Sequence, residues 1–412
     1  TETQTEVAEA RPNAPPLTLE DALAVAELNH PLLRSARADT DAASGALMQA
    51  GARPNPELSL LQEGLSGRER TSTALLNQTI ELGGKRTARL DAAASRREAS
   101  LAELDARTAA LQADVISAFY GLLAAQRQLQ VAEEAAQVAE RSATIARKRV
   151  QAGKVPPVEA TKAQVAVSAA HIEASGARRQ VAIAHERLAT ATGGGLPPER
   201  IARGDLDAVP TLEPLPQLLQ RAESGPALRV AHAQTSRAQA AIAVEQSRRI
   251  PDLTISAGVK RITTSGAPIN QAVIGVSIPL PLFDTNRGAM LEATHLASKA
   301  SADEANARAR ARLDLAQAYA DYETAAYDAN RLRTEVLPAA RDALDATSRG
   351  YELGKFALLD VLDTQRTLFQ GRSQYVAALA NAHRAYAELA RLTGASPARA
   401  AAASANSSSF AP

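Results

Sequence analysis

Cysteine is missing from all 412 residues, which excludes disulfides, thiolate metal sites and cysteine nucleophiles together, and leaves no Cys here to carry a lipid. Tryptophan is also absent, methionine occurs twice, and aromatic residues make up 3% of the chain. So few bulky side chains argue against a thick globular core. The abundance of Ala among Arg, Glu and Gln argues instead for long helices that approach one another closely. Charge of one sign is lacking as well: the formal net charge is +1, which gives no support for nucleic-acid binding. No run of 18 or more apolar residues is found, so no transmembrane helix is expected. G-x-S-x-G, P-loop, G-x-G-x-x-G and H-E-x-x-H patterns are missing too, and no catalytic arrangement or enzymatic role is expected. The sequence opens TETQTEV without Met, from which removal of a signal or tag, and hence export, is expected.

What is present is a repeat. HPLLR (30–34) aligns with GPALR (225–229), and RPNPELSL (53–60) with RRIPDLTI (248–255), both 195 residues apart. TIELGGKR aligns with SIPLPLFDTNR at 198, and QAGKVPPVEATKAQ (151–164) with ELGKFALLDVLDTQ (352–365) at 201. The stops ATG and LTG, ending at Gly193 and Gly394, keep that last spacing. Anchors in the same order, drifting only by small insertions, imply a tandem duplication. One copy covers 17–195 and the other 212–394, joined by a Pro-rich connector at 196–211. The ends, 1–16 and 395–412, are poor in bulky apolar residues and are expected to be disordered.

Each copy reads as helix, strand, strand, very long helix and return helix. In the first, Leu101, Leu104, Thr108, Leu111, Val115, Ala118, Leu122, Ala125, Leu129 and Ala132 fall at alternating intervals of three and four. That is the spacing of a coiled-coil seam. Alanines at 136, 139, 143 and 146 carry it on to Val150, so a neighbour there can come unusually near. Leu315, Tyr319, Tyr322, Ala326 and Ala329 keep the rhythm in the second copy. The long helices are expected over 86–152 and 286–353, ending at Gly153 and Gly354, with return helices closed by Gly193 and Gly394.

Strands are expected at 56–66 and 71–82, and again at 252–264 and 269–280. Leu253, Ile255, Ala257 and Val259 alternate with Thr254, Ser256, Gly258 and Lys260. About ten residues with one apolar face suits an outer-membrane strand. Periodicity alone leaves a soluble hairpin packed on the helices equally open. The membrane reading has a consequence: four strands cannot close a barrel, and an open sheet edge is forbidden in lipid, so several chains must contribute. The strands hand over to the long helices abruptly. Gly83 and Gly84 make that bend in the first copy by permissive dihedrals, and Pro279 and Pro281 by ending the ladder in the second, where Asp284 can cap a helix starting near Asn286.

With QTIELGGKR, SIPLPLFDTNRG and YELGKFALLDVLDTQRTLF set in this duplicated layout, the chain resembles the TolC-type outer-membrane efflux proteins from Leu17 to Gly394. ELGGKR and IPLPLFDTNRG look most like the heavy-metal branch, the outer-membrane subunit of cobalt-zinc-cadmium efflux systems. The resemblance implies a mainly α fold with a membrane β-barrel: a homotrimer whose twelve-stranded barrel, set in outer-membrane lipid, stands on a long α-helical barrel in the periplasm. It also implies a periplasmic adaptor and an inner-membrane RND pump as partners. The expected function is a passive exit duct for divalent heavy-metal cations such as Co, Zn and Cd. Export of drugs or other small molecules is an alternative, as is a periplasmic adaptor or a coiled-coil scaffold.

Asp360 and Asp363, three apart in LLDVLDTQ, share one helix face. Acids at a helix start have an ordinary explanation in the helix dipole. The resemblance places a periplasmic gate ring at these two positions, which threefold symmetry would turn into six carboxylates. It likewise places gate-closing polar contacts at Glu159 and Tyr351, for which a solvated Glu and a half-buried Tyr are the plain alternative. The six His residues are scattered, so no metal site and no cofactor is expected. Lys260 and Arg261 could line the barrel mouth, although turns collect charge in any case.

Overall fold

The structure, a computed structural model, describes residues 16–65, 69–194, 201–264 and 266–395. The two expected tails fall almost wholly outside them, as do parts of both polar turns between paired strands. Helices α1 (Leu19–Asn29) and α2 (Pro31–Ala50) lead to strands β1 (Glu57–Glu63) and β2 (Arg70–Ile80). Helices α3 (Lys85–Gln151) and α4 (Pro157–Ala191) follow. The order then recurs: α5 (Leu215–Ala222), α6 (Pro226–Arg248), β3 (Leu253–Thr263), β4 (Ile269–Ser277), α7 (Arg287–Arg331), α8 (Leu337–Glu352) and α9 (Leu358–Thr393). Two compact units result, one of residues 35–105 and 227–309, the other formed by the remainder.

In the first unit the four strands make one antiparallel sheet in the order β1-β2-β3-β4. Its register sorts the side chains by chemistry. Leu58 pairs with Leu76, Leu76 with Ala257 and Ala257 with Ile274, while Leu60, Ala74, Val259 and Ala272 form the next row on that face. Leu58, Leu60, Leu76, Val259, Ile274 and Val276 are each more than half exposed, an apolar sheet face that no described residue covers. The other face carries Ser59, Thr73, Lys260 and Gln271, and Ser256 donates to Asn77 across it at 2.7 Å. Lys260 and Arg261, expected as ordinary turn charges rather than a barrel-mouth lining, lie on opposite faces. Arg261 belongs to the apolar face, in the row of Gln62, Ser72 and Asn270 that ends it.

The bends from strand to helix lie in the same unit. Gly83 and Gly84 have φ of 67° and 74°, and a Cβ on Gly83 would lie 2.7 Å from Ile250 Cβ. Asp252 joins the turn by accepting from Lys85 Nζ at 2.7 Å and from the Leu82 N–H at 3.1 Å. In the second copy the ladder stops at Ser277, opposite Thr254, just before Pro279 and Pro281. Here the capping differs from expectation. The Asp284 carboxylate accepts from the Asn286 N–H, outside the helix, at 2.9 Å. Asn286 itself takes the left-handed conformation, φ 55°, immediately before α7. Its side-chain amide donates to the Glu245 carbonyl at 2.8 Å and to the Glu245 carboxylate at 3.0 Å, which holds that conformation in place.

In the other unit the seam of α3 buries Leu111, Val115, Leu122, Ala132, Ala136, Ala139, Ala143 and Ala146, with no seam residue left exposed. Phe119, Ile116, Leu123 and Val131 are buried too, so the apolar stripe is wider than one seam. One stretch of α3 is long and apolar enough by composition to suit a bilayer, although it holds no unbroken run of 18 apolar residues. Its close-set alanines and leucines serve helix packing here. The second long helix is not continuous. A π turn, Leu332–Val336, divides α7 from α8, and the Leu337 N–H reaches back to the Leu332 carbonyl. Pro338 follows directly; it lacks the N–H a regular helix needs there, so the ladder slips by one residue. The first helix of each copy is likewise broken, at Pro31 and at Pro226, because proline sits well only at a helix start.

The described part of the connector, 201–211, is fastened to the helices. Leu206 offers its carbonyl to His383 Nε2 at 2.9 Å, Asp207 takes Tyr375 at 2.6 Å and Arg127 at 3.0 Å, and Tyr322 donates to the Pro210 carbonyl. Burial first, then the bond to Asp207, pushes the Tyr375 phenol up to about 12. His383 is buried and stacks on Tyr120 with centroids 3.6 Å apart; desolvation holds it below its ordinary 6.5, against weaker pulls upward from Leu206, Asp205 and Asp207.

Two expectations follow. A buried imidazole with a lowered pKa stabilises the fold above pH 6.5, and that contribution is lost as pH falls through the lowered folded value. Thermal unfolding should therefore show a drop in stability as pH falls below 6.5 that His383→Gln flattens; an unchanged slope would contradict it. Gly83→Ala meets both a forbidden φ and the Ile250 side chain and should cost about 1–3 kcal/mol, clearly more than Gly84→Ala, which has open space. Equal costs would rule out the close approach as the reason.

Candidate functional site: the turns that end the long helices

α3 ends at Gln151 and α4 begins at Pro157; α8 ends at Glu352 and α9 begins at Leu358. The two turns occupy equivalent places in the duplicated sequence, with Gly153 matching Gly354. Beneath them lies a core of small residues, in which Ala143, Ala146 and Ala163 pack with Leu344, Tyr351, Leu358 and Val361. α3 and α4 contribute mainly alanines to this core, and Tyr351 is its one buried aromatic side chain among the described residues. Tyr351 is only 2% exposed.

Its hydroxyl donates to Glu159 Oε2 at 3.1 Å, so the structure brings together two residues that lie 192 positions apart. Neither plain alternative describes them: the tyrosine is buried, and the glutamate is engaged. Burial, and next the bond to Glu159, raise the Tyr351 phenol above its ordinary 10, while Arg149 pulls it down. Arg149 is the residue that sequence reasoning missed. Its Nη1 donates to the Tyr351 carbonyl at 2.5 Å, and its guanidinium carbon stands 4.4 Å from the Tyr351 ring centroid. One signal could have found it: at the spacing of 201, the position of Arg149 in copy one is Gly350 in copy two, a loss of the entire side chain.

Asp360 and Asp363 are both exposed near the start of α9. Asp360 Oδ2 accepts the Ala357 N–H at 3.0 Å, so this carboxylate does serve the helix start. The Asp363 carboxylate faces solvent one turn later. Within a single chain the two supply negative charge beside the turn and no closed ligand set. Among the described residues no group of three or more His, Cys, Asp or Glu gathers in a way that could hold a metal ion. His171 and His232 instead pair with Glu140 at 2.8 Å and Glu304 at 3.5 Å.

The family model described as outer membrane efflux protein matches residues 22–194 and 217–395, once over each copy. The chain belongs to that family. It is an outer-membrane channel of the transporting kind, with its helices on the periplasmic side. Among curated relatives, it is 40% identical to the cobalt-zinc-cadmium resistance protein CzcC of Cupriavidus metallidurans, over 93% of this chain and 91% of that one. It is 29% identical to the nickel-cobalt-cadmium resistance protein NccC of Alcaligenes xylosoxydans xylosoxydans, over 70% of this chain and 66% of that one. Its fold matches solved outer-membrane channels at far lower identity. The CusC structure aligns with a TM-score of 0.77 at 17% identity, covering 91% of both chains. VceC of Vibrio cholerae aligns at 0.76 and 20% identity, covering 91% of this chain and 96% of that one. Membership of an outer-membrane family decides between the two readings of the strands: they are membrane strands, and the adaptor and scaffold alternatives fall away.

The raised Tyr351 pKa gives a direct check. A phenol with a raised pKa contributes stability below pH 10 that is lost as pH rises through its folded value. Glu159→Gln removes the charged acceptor, so Tyr351 should ionise at lower pH. The difference in alkaline absorbance titration between each protein and its Tyr351→Phe counterpart reads this. An identical curve would mean that the bond to Glu159 does not form in solution.

Proposed function

We propose that this chain is the outer-membrane exit duct of a tripartite RND-type efflux system, and that it carries divalent heavy-metal cations such as Co, Zn and Cd. The observation that carries the cargo is the 40% identity to CzcC over nearly the whole of both chains. A drug-exporting duct shares the fold and is the alternative. The mechanism is passive: an inner-membrane pump and a periplasmic adaptor deliver the ions, and a continuous water-filled lumen lets them leave. No residue need bind the ion tightly, because a tight site in a pore slows release.

Oligomerisation follows from the sheet. Among the described residues, β1 and β4 each leave one edge unpaired. In lipid those N–H and C=O groups need partners, and three chains of four strands close a twelve-stranded barrel. At the helix-end turns, threefold symmetry sets Asp360 and Asp363 of each chain around one axis. Six carboxylates there attract cations and close the lumen to wide traffic, and the Tyr351–Glu159 bond holds the turns in that closed arrangement.

Two measurements test this reading. In planar bilayers, Asp360→Ala combined with Asp363→Ala should raise conductance and weaken block by divalent cations; unchanged conductance and block would remove the gate ring. In cells, loss of the protein should sensitise growth to cobalt, zinc and cadmium while tolerance to hydrophobic dyes stays the same. The reverse pattern would favour the drug duct.

A further inference from the structure

The two helix-end turns descend from one unit, yet their contacts are divided unequally between the copies. At the spacing of 201, Arg149 matches Gly350, Val150 matches Tyr351, Val155 matches Phe356 and Glu159 matches Asp360. Copy one thus supplies a cation and an anion, and copy two supplies the aromatic ring that both of them touch. Glu159 holds the phenol oxygen of that ring. Arg149 lies over its face and bonds to the Tyr351 backbone carbonyl. The missing side chain at position 350 is used as well. A Cβ on Gly350 would fall 2.0 Å from the Phe356 ring, so the phenyl closes over that bare backbone, while the Phe356 and Lys355 N–H groups bond to the Gly350 carbonyl at 3.3 Å and 2.7 Å.

We propose that Arg149 is a positioning residue for the gate: from α3 it fixes the α8–α9 turn through the face and carbonyl of Tyr351, independently of the Tyr351–Glu159 hydrogen bond. The proposal rests on the reading of these turns as the end of the duct that opens. Two grips on one residue from two helices define its place better than either alone. Glu159 on α4 restrains the outer end of the side chain, and Arg149 on α3 restrains the backbone from which the α8–α9 turn departs. A planar guanidinium can stack and donate at once, which an ammonium does less well. Release of either grip should leave the turn partly held, and release of both should free it.

The test is single-channel conductance of the full chain, with assembly checked by the size of the detergent-solubilised particle. Arg149→Gln should raise conductance several-fold, and Arg149→Lys, which keeps the cation, should fall between Arg149→Gln and the parent. Adding Tyr351→Phe to Arg149→Gln should raise conductance beyond either single change, because Phe keeps the ring face and carbonyl but loses the bond to Glu159. Parental conductance in Arg149→Gln overturns the proposal. So does a double variant no more conductive than Tyr351→Phe alone. Failure of the gate reading shows separately, as unchanged conductance and block in the Asp360→Ala, Asp363→Ala protein. A second readout needs no open channel: alkaline absorbance titration should place Tyr351 at higher pH in Arg149→Gln and near the parental value in Arg149→Lys. An unshifted Tyr351 in Arg149→Gln means that the guanidinium does not lie on the ring.

Discussion

A β-sheet in lipid cannot leave an edge open, and that constraint governs the whole molecule. The hydrocarbon offers no partner for a bare N–H or C=O, so a four-stranded sheet with an apolar face is unfinished as a monomer. Here the order β1-β2-β3-β4 leaves one unpaired edge at each end, and the uncovered face displays Leu58, Leu60, Leu76, Val259, Ile274 and Val276. Membership of the outer membrane efflux protein family puts that face in lipid. On the proposed trimeric reading, other copies of the chain complete the sheet, and symmetry follows from closure.

Duplication meets this demand economically. A single helix–strand–strand–helix unit, used twice, gives each chain four strands and two sets of long helices. A 67-residue helix such as α3 extends about 100 Å and must be supported along its length. The support comes from alternating three- and four-residue spacing, with leucine, valine and phenylalanine in one stretch and alanine in the next. Where alanine takes over, α3 brings little side-chain bulk to the core. Tyr351 stands in that alanine-lined stretch, which is why polar atoms around a single ring can define how the turns meet.

Much of this was legible in the residues. The seam of α3 could be read because every interval of three or four lands on one side of a helix, and burial follows it from Leu111 to Ala146. The strands could be read because alternation of period two survives when one face meets lipid; β4 nevertheless stops at Ser277, earlier than 280, as Pro279 and Pro281 cannot join a ladder. The breaks at Pro31, Pro226 and before Pro338 were written in the sequence too, but a strong apolar rhythm on both sides of a proline masks the interruption. What could not be read were contacts made across long separations. Arg149 meets Tyr351 over 202 positions, and Asn286 adopts φ 55° because Glu245 waits for its amide. Local pattern carries no trace of such pairs, apart from the divergence of Arg149 and Gly350 between the copies.

The central claim is that closure of the sheet sets the number of chains. Particle imaging of the purified protein in detergent, read for rotational symmetry at the strand-bearing end, tests it most directly. A threefold hollow assembly with twelve strands in a closed ring is the expected result. Monomers with an open four-stranded sheet, or a closed ring of another order, would contradict it.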